Sequence, residues 1–328
     1  NNITREESFV VLARAFKLSG ANENTLDKFS DKNNISDWAK DSVSSLVAAG
    51  YISGSNGQVN PKQNVTRQEF AQMMDNLIKN YINTEGTYTT DYSGNLMINV
   101  PNVTLKGLTI TGDLIIGDGV GNGTVTLDSV TVTGRTVLRG GGENSIRIIG
   151  NSNIQNIIIA RVDGVVRVYS EDGTEIGEVI VDGSDDVIIE GTFGTVTLLA
   201  SNVTVTATDA TIESATVDGE DSKIVVEENS TINTITVTGQ GTTIEGKGKV
   251  ESVEANANDV TVNTPGTSVT AGEGATGVTV GGNPVQSGET VIDDTEVPTG
   301  IIETGGGSSG SSRVAVSAIS VEPDIMIL

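Results

Sequence analysis

Two segments of the N-terminal region combine a helix-starting signal with apolar residues at helical spacing. Thr4 with Glu7, and Thr66 with Glu69, form the Thr-x-x-Glu pattern of a capping box. Its recurrence indicates a repeated helical unit, present once in full and once in part within residues 1–84. The apolar faces are Phe9, Leu12, Ala13 and Phe16 in the first helix and Phe70, Met73, Met74 and Leu77 in the last, and a middle helix that begins at Ser36 or Asp37 carries Trp38, Val43, Leu46 and Val47.

A different pattern runs from residue 95 to about residue 281. Short strands rich in Val, Ile, Leu and Thr alternate with turns of Gly, Asn and Asp. A six-residue pattern, apolar at its first, fourth and sixth positions, recurs about every twenty residues, and a second strand follows most copies. The copies are residues 105–110, 127–132, 154–159, 176–181, 193–198, 212–217, 232–237 and 250–255.

This repeat predicts a parallel β-helix over residues 85–297, in which each coil stacks on the last and buries a column of aliphatic side chains. The chirality of crossover connections makes a right-handed coil the default. A β-sandwich is the alternative, but it would need hairpin turns and a more aromatic core. The fold class is therefore multidomain, with helical repeats followed by a right-handed parallel β-solenoid.

The C-terminal part has a different composition again. Residues 298–312 contain a run of Gly and Ser that is typical of a flexible linker. Residues 313–328 begin with alternating apolar positions and are predicted to form a terminal strand. This strand resembles the first strand of a bacterial immunoglobulin-like domain. It could dock on a sheet edge of the same chain or of a neighbour.

Composition separates the two main parts and excludes several kinds of chemistry. Residues 1–84 carry nine basic and nine acidic residues, so the net charge of −24 arises entirely after them. Such an acidic chain is not expected to bind nucleic acid, and no apolar run is long enough for insertion into a membrane. The chain has no Cys and no His. Ser-His or Cys-His catalysis and Cys/His zinc sites are therefore excluded.

The N-terminal motifs resemble the S-layer homology (SLH) family. The matching segments are residues 29–31, 35–39, 50–54, 60–61 and 65–71, and residues 3–7 resemble the end of a preceding repeat. The resemblance implies binding to a secondary cell-wall polysaccharide, which often carries pyruvate ketals. A guanidinium fork matches the carboxylate of such a ketal, and an indole offers a sugar a flat apolar face. The residues implied in this binding are Asp31, Trp38, Gly54, Arg67 and Arg5.

An enzyme is an alternative for the predicted β-helix, because the same architecture is found in polysaccharide lyases. Five arginines crowd into it, at positions 135, 139, 147, 161 and 167, and acidic clusters occur in its turns. Asp and Gly are good turn formers, however, so catalysis is not expected. Asp182, Asp185 and Asp186 are candidate ligands of a structural Ca²⁺ ion, and no other cofactor is expected.

These observations together predict a non-catalytic, secreted protein of a Gram-positive-type bacterial surface. The SLH repeats would anchor the chain to wall polysaccharide, and the acidic β-helix would be a stalk or lattice element that self-associates in a surface layer. Residues 103–148 also resemble β-helix regions that follow SLH repeats in surface-layer proteins. The alternatives are a wall-anchored protein that binds or cleaves an acidic polysaccharide, and an adhesin whose ligand is held by further C-terminal domains.

Overall fold

The computed structural model describes residues 2–162 and 164–295. A small helical module comes first and leads directly into a β-solenoid of about 11 turns. The predicted linker over residues 298–312 and the predicted terminal strand over residues 313–328 lie outside the described residues. The helices are α1 (Arg5–Ala15), α2 (Asp37–Ala48) and α3 (Arg67–Leu77), and 3₁₀ turns occupy Glu23–Lys28, Lys32–Asn34 and Asp118–Val120.

The helices begin where the sequence predicts. The Thr4 and Thr66 hydroxyls each accept a hydrogen bond from the backbone N–H three residues on. The side chains of Glu7 and Glu69 accept in turn from the backbone N–H of these threonines, so both capping boxes are present. Two apolar predictions fail, because Phe70 in α3 is 41% exposed and Trp38 in α2 is 57% exposed rather than buried. The core of the module is formed by Phe9, Val10, Leu12, Ala13, Leu26, Phe29, Ile35, Ala39, Val43, Leu46, Val47, Ile52, Val59, Met73 and Leu77.

Within the described residues the solenoid contains 24 strands, and its first strand begins at Asn80, a few residues before the predicted start at residue 85. The first twelve are β1 (Asn80–Ile82), β2 (Gly86–Tyr88), β3 (Leu96–Ile98), β4 (Val103–Lys106), β5 (Thr109–Ile110), β6 (Leu114–Ile116), β7 (Val125–Asp128), β8 (Thr131–Val132), β9 (Thr136–Leu138), β10 (Arg147–Ile149), β11 (Asn153–Ile159) and β12 (Val166–Ser170). The others are β13 (Glu175–Val181), β14 (Val187–Leu198), β15 (Thr204–Val217), β16 (Lys223–Val226), β17 (Thr231–Val237), β18 (Thr243–Gly246), β19 (Lys249–Ala255), β20 (Thr261–Asn263), β21 (Ser268–Ala271), β22 (Thr279–Val280), β23 (Asn283–Pro284) and β24 (Thr290–Ile292).

Parallel pairing between successive coils arranges these strands in three faces. Face A contains β1, β3, β6 and β9, the C-terminal parts of β11, β13, β14, β15, β17 and β19, and then β21. Face B contains β2, β4, β7, β10 and β12, the first parts of β14 and β15, and then β16, β18, β20 and β22. Face C contains β5 and β8. It continues in those parts of β11, β13, β14, β15, β17 and β19 that come just before their face A segments. The predicted parallel solenoid is confirmed.

One aliphatic core fills the solenoid. Burial alternates along each strand, so every second side chain points inward and stacks on its counterparts in the neighbouring coils. On face A, Leu96, Leu114 and Thr136 occupy one inward register, and the backbone pairs them directly. The core therefore consists almost entirely of Val, Ile, Leu and Ala, with Phe193 its single fully buried aromatic residue among those described.

The C-terminal end of the described solenoid has a different strand arrangement. β24 pairs antiparallel with β21, and β23 pairs antiparallel with β22. Both hairpin-like returns cover strands that would otherwise present unpaired backbone groups to another chain. The last described strands of faces A and B are thus covered by the chain itself.

Coil stacking leaves little room at a few backbone positions, of which Gly191 is the clearest. Its φ is +104°, and a Cβ placed on it would lie 1.9 Å from the carbonyl oxygen of Ser170 in the preceding coil. Gly107 also has a positive φ, +60°, but no atom lies within 4 Å of its Cβ position. A side chain at position 107 would therefore cause backbone strain alone, whereas one at position 191 would cause both backbone strain and a steric collision.

Gly191→Ala is expected to destabilise the solenoid more than Gly107→Ala does. Backbone strain alone costs on the order of 1–3 kcal/mol, and at position 191 the methyl group must also push two coils apart. Thermal unfolding followed by circular dichroism checks this order. Equal losses in the two variants would show that the coils separate without cost.

Candidate functional site

The helical module is held together by a buried carboxylate. Glu6 is 3% exposed. Its side chain accepts hydrogen bonds from the backbone N–H of Ser36 at 3.0 Å, the Ser36 hydroxyl at 3.1 Å and the Lys62 ammonium at 2.5 Å. Burial alone would raise the pKa of Glu6, but the hydrogen bonds from Lys62 and Ser36 outweigh it and the pKa is lowered. This carboxylate therefore fixes α1 against the start of α2.

Asp31, a predicted polysaccharide ligand, is 8% exposed and serves the backbone. One carboxylate oxygen accepts from the N–H of Val59 at 2.9 Å, and the other accepts from the N–H of Asn60 at 2.7 Å. Both backbone groups belong to the turn that precedes Pro61. In this structure the carboxylate is engaged in holding that turn in place.

A groove of about 180 Å³ lies between the start of α1, the segment of residues 51–55 and α3. Arg5 lines it, and its Nη1 donates to Glu69 Oε1 at 2.5 Å while its Nε donates to the carbonyl oxygen of Val59 at 2.7 Å. Asn76 donates to the carbonyl oxygen of Tyr51 at 3.0 Å. The groove is lined by Arg5, Tyr51, Ile52, Ser53, Gly54, Ser55, Glu69, Gln72, Met73 and Asn76.

The groove combines an apolar floor with several polar groups. Ile52 and Met73 are buried, whereas Ser53, Ser55 and Gln72 are exposed and carry hydroxyl and amide groups. Glu69 has a lowered pKa, chiefly because it accepts a hydrogen bond from the Thr66 backbone, with Arg5 adding to the effect. The groove thus offers both a cation and an anion, together with neutral donors and acceptors suited to sugar hydroxyls.

Gly54 is required at its position in the wall of the groove. Its φ is +72°, and a Cβ there would lie 2.6 Å from the carbonyl oxygen of Gln58 and 2.6 Å from Cε1 of Phe29. Any other residue would displace the 54–58 turn or the Phe29 ring. The role of Gly54 is therefore to shape the groove.

Trp38 and Arg67 are not among the residues that line the groove. Trp38, in the first turn of α2, is 57% exposed, so its indole is not part of the core. Arg67 is the first residue of α3 and is exposed, and it forms no ion pair with any residue that the structure describes. Of the five predicted residues, the groove contains Arg5 and Gly54.

Sequence reasoning missed most of the polar residues of the groove. Ser53, Ser55, Gln72 and Asn76 carry no individual signal, because each is an ordinary residue of a turn or a helix. Glu69 was assigned only to the capping box, yet it also pairs with Arg5 across 64 positions of sequence. The partial signature at residues 3–7 was the available signal, since it places an arginine beside the complete repeat.

The arginines of the solenoid pair with carboxylates of adjacent coils. Arg135 binds Asp113, Arg139 binds Asp118 at 3.2 Å, Arg161 binds Asp185 at 3.5 Å, and Arg167 binds Glu190. Arg147 and Arg167 both lie over the ring of Tyr169, at 5.1 Å and 5.2 Å from its centroid. These contacts stabilise the stacking of coils, so the crowding of arginines has a structural explanation and does not single out a catalytic base.

The three aspartates predicted to bind Ca²⁺ have separate surroundings. Asp185 pairs with the buried Arg161, and Asp186 accepts from the backbone N–H of Thr204 at 2.8 Å. Asp182 is exposed. Within residues 2–162 and 164–295, no group of three or more acidic side chains is arranged to hold a metal ion.

The fold and the groove define a class of protein: a capped helical module of the SLH type joined to a parallel β-solenoid. Residues 28–71 match the family model of the S-layer homology domain. A stretch of 82 residues, 24% of the chain, is 39% identical to the "Surface-layer 125 kDa protein" of Lysinibacillus sphaericus and spans 7% of that protein. No solved structure matches the chain.

These similarities confirm the resemblance to SLH-containing surface-layer proteins. The family match lies in the N-terminal region, where the helices and the groove are found. None of the helices described is both long and apolar enough to cross a membrane.

Acid is expected to destabilise the helical module through Glu6 and Glu69. Both groups have folded-state pKa values below the ordinary value of 4.5. Their stabilisation is therefore fully present above that value and is lost as the pH falls through the folded-state pKa values. Ellipticity at 222 nm monitors the module, because all three α-helices described lie within it.

Glu6→Gln is expected to lower the stability of the module by about 1.5–3 kcal/mol at neutral pH, the scale of a hydrogen bond to a charged group. The same substitution should make the acid transition shallower, because one of the linked carboxylates is gone. Urea unfolding at several pH values measures both effects. An unchanged pH dependence would show that Glu6 is not a linked group.

Proposed function

We propose that the helical module binds a secondary cell-wall polysaccharide and that the β-solenoid is a non-catalytic stalk or lattice element of a bacterial surface layer. The observation that carries the proposal is the groove of Arg5 and Gly54, to which the segment matching the SLH domain contributes residues 51–55 and 69. The similarity to a surface-layer protein supports a location at the cell surface. The chain would then be secreted and would act outside the cell.

The chemistry of the module supports an acidic or pyruvylated glycan as the ligand. Hydrogen bonds to the Val59 carbonyl oxygen and to Glu69 hold the Arg5 guanidinium in the groove. A carboxylate is the preferred partner of this planar group. The exposed Trp38 of α2 and Arg67 of α3 are further contact points for sugar and carboxylate. Ordinary polar contacts from Ser53, Ser55 and Gln72 would bind the hydroxyl groups.

The solenoid supports the structural half of the proposal. Its coils are joined by a continuous backbone ladder and by arginine–carboxylate pairs between adjacent coils. Such a body holds its shape without a ligand, as a spacer or lattice element requires. Self-association into a surface layer follows from the same role.

Arg67→Ala is expected to weaken binding to wall polysaccharide by about 1.5–3 kcal/mol, the cost of a hydrogen bond to a charged group. The measurement is a binding isotherm on purified wall polymer, with a longer polypeptide that carries three SLH repeats. Arg14→Ala is the matched control, because Arg14 is an exposed arginine in the last turn of α1. Equal affinities for the wild type and Arg67→Ala would remove Arg67 from the binding surface.

Co-sedimentation with cell-wall sacculi tests the anchor as a whole. The three-repeat polypeptide is expected to sediment with intact sacculi and to stay in solution once the secondary polymer has been stripped. This result is expected because the proposal places the ligand of the module on the secondary polymer and not on the peptidoglycan. Persistent binding to stripped sacculi, or no binding at all, would contradict the proposal.

A further inference from the structure

An apolar stripe runs along the outside of face A. In each of six successive coils, the middle residue of the face A strand points outward and is apolar. Direct pairing of these strands places the six side chains in one column. At about 4.8 Å between strands, the column is about 24 Å long. The outer stripe consists of Tyr81, Met97, Ile115, Val137, Ile158 and Ile180.

The outer stripe is a property of one face and not of the coils in general. On face B the corresponding outward residues of these coils include Thr104, Thr126 and Arg147, and on face C they include Thr109 and Thr131. After Ile180 the face A column becomes polar, as Thr197, Thr216 and Thr236. Outward apolar residues in six consecutive coils exceed what strand propensity alone requires, since Thr serves equally well elsewhere.

Charged residues flank the outer stripe in a pattern with two-fold symmetry. Arg135 and Arg139 stand two positions before and after Val137, and Glu178 and Asp182 stand two positions before and after Ile180. The two rows lie one coil on either side of Ile158. The row of Ile158 is therefore the centre between a basic row and an acidic row.

We propose that face A packs against face A of a second copy of this chain, with the two-fold axis parallel to the strands and over Ile158. The solenoid axes of the two copies are then antiparallel. The Val137 row of one copy faces the Ile180 row of the other, so Arg139 meets Asp182 and Arg135 meets Glu178 across the interface. Ile158 meets its own counterpart at the axis, and the outer residues Ile115, Met97 and Tyr81 lie over the methyl-bearing threonines Thr197, Thr216 and Thr236. This inference gives a specific surface to the self-association in the proposed function.

Charge distinguishes this arrangement from the other two-fold packing of the same faces. With the axis along the solenoid, each row would meet its own counterpart with the strand direction reversed. Arg135 would then face Arg139, and Glu178 would face Asp182. Like charges in direct opposition are destabilising, so the structure favours the antiparallel dimer.

The pair of Arg139 and Asp182 is the more available of the two. The Arg139 side chain is 42% exposed, and its partner Asp118 is itself 70% exposed. Asp182 is exposed and, among the residues described, has no ion-pair partner. Arg135 is already held by Asp113 and by the carbonyl oxygen of Ala15 at 3.0 Å, so it contributes less.

The helical module contacts one flank of face A. Arg135 bonds to Ala15 of α1, and Asn95 bonds to the carbonyl oxygen of Leu77 of α3 at 2.8 Å. Both contacts are on the flank that precedes the strands of face A. A two-fold axis parallel to the strands keeps that flank on the same side in both copies. The two modules therefore lie along one edge of the dimer, at opposite ends.

Sedimentation velocity over a range of concentrations tests the dimer with the full chain. The wild type is expected to show a reversible monomer–dimer equilibrium, and Ile158→Lys is expected to be monomeric because it places two ammonium groups at the symmetry axis. Ile188→Lys is the matched control, since Ile188 is an outward, partly exposed isoleucine on face B. A monomeric wild type, or equal effects of the two variants, would overturn the proposal.

Charge exchange tests the orientation. Arg139→Glu and Asp182→Arg are each expected to raise the dissociation constant about tenfold, because two pairs per dimer change from attraction to repulsion. The double variant should return to within about threefold of the wild type, since both pairs are restored with reversed sign. Additive weakening in the double variant would exclude the antiparallel arrangement.

The same variants separate this inference from the anchor. Ile158→Lys lies in the solenoid and is expected to leave co-sedimentation of the three-repeat polypeptide with sacculi unchanged. Loss of the dimer with wall binding intact would support a dimer surface distinct from the anchor. A wild type that binds the wall but stays monomeric at all concentrations would refute the dimer and leave the anchor standing.

Discussion

The backbone ladder between coils is the constraint on which the rest of the solenoid depends. Each coil can satisfy its N–H and C=O groups only by lying directly over the preceding coil, about 4.8 Å away. Residues in register, such as Ile157 and Val179, therefore share one environment, and an inward position is aliphatic in most coils. The same constraint brings charges of successive coils together. It explains why Arg135 meets Asp113 and why Arg167 meets Glu190.

The general fold could be predicted because the stacking of coils requires apolar residues at positions that recur once per coil along the sequence. The six-residue pattern around Ile212 and Ile232 repeats with little variation, and the structure pairs these residues directly. Coils at the ends were harder to recognise, because strands such as Asn80–Ile82 are too short to show a pattern. The antiparallel returns of β23 and β24 depend on which edges remain unpaired in three dimensions. Local sequence does not contain that information. The exposure of Phe70 has the same origin, because helical spacing fixes a face but not what covers it.

The candidate groove was predictable only in part. Motifs identified Arg5 and Gly54, because one supplies a charge and the other a backbone conformation that few residues adopt. Asp31 belongs to the same motif set, yet its carboxylate serves two backbone N–H groups. A motif match marks residues that matter without separating those that build a site from those that contact a ligand. The outer stripe had no motif at all, and it became visible only when the pairing register aligned single apolar residues from six coils.

The stacking of coils also determines how the chain responds to tension. Hydrogen bonds between coils run along the solenoid axis, so a pull on the two ends detaches one terminal coil at a time and does not shear the whole body. A released coil of about twenty residues extends to about 65–70 Å, whereas it occupied about 4.8 Å of axial length. Each detachment therefore lengthens the chain more than tenfold locally, and the remaining coils stay folded. A solenoid of this kind would therefore absorb mechanical work in small steps.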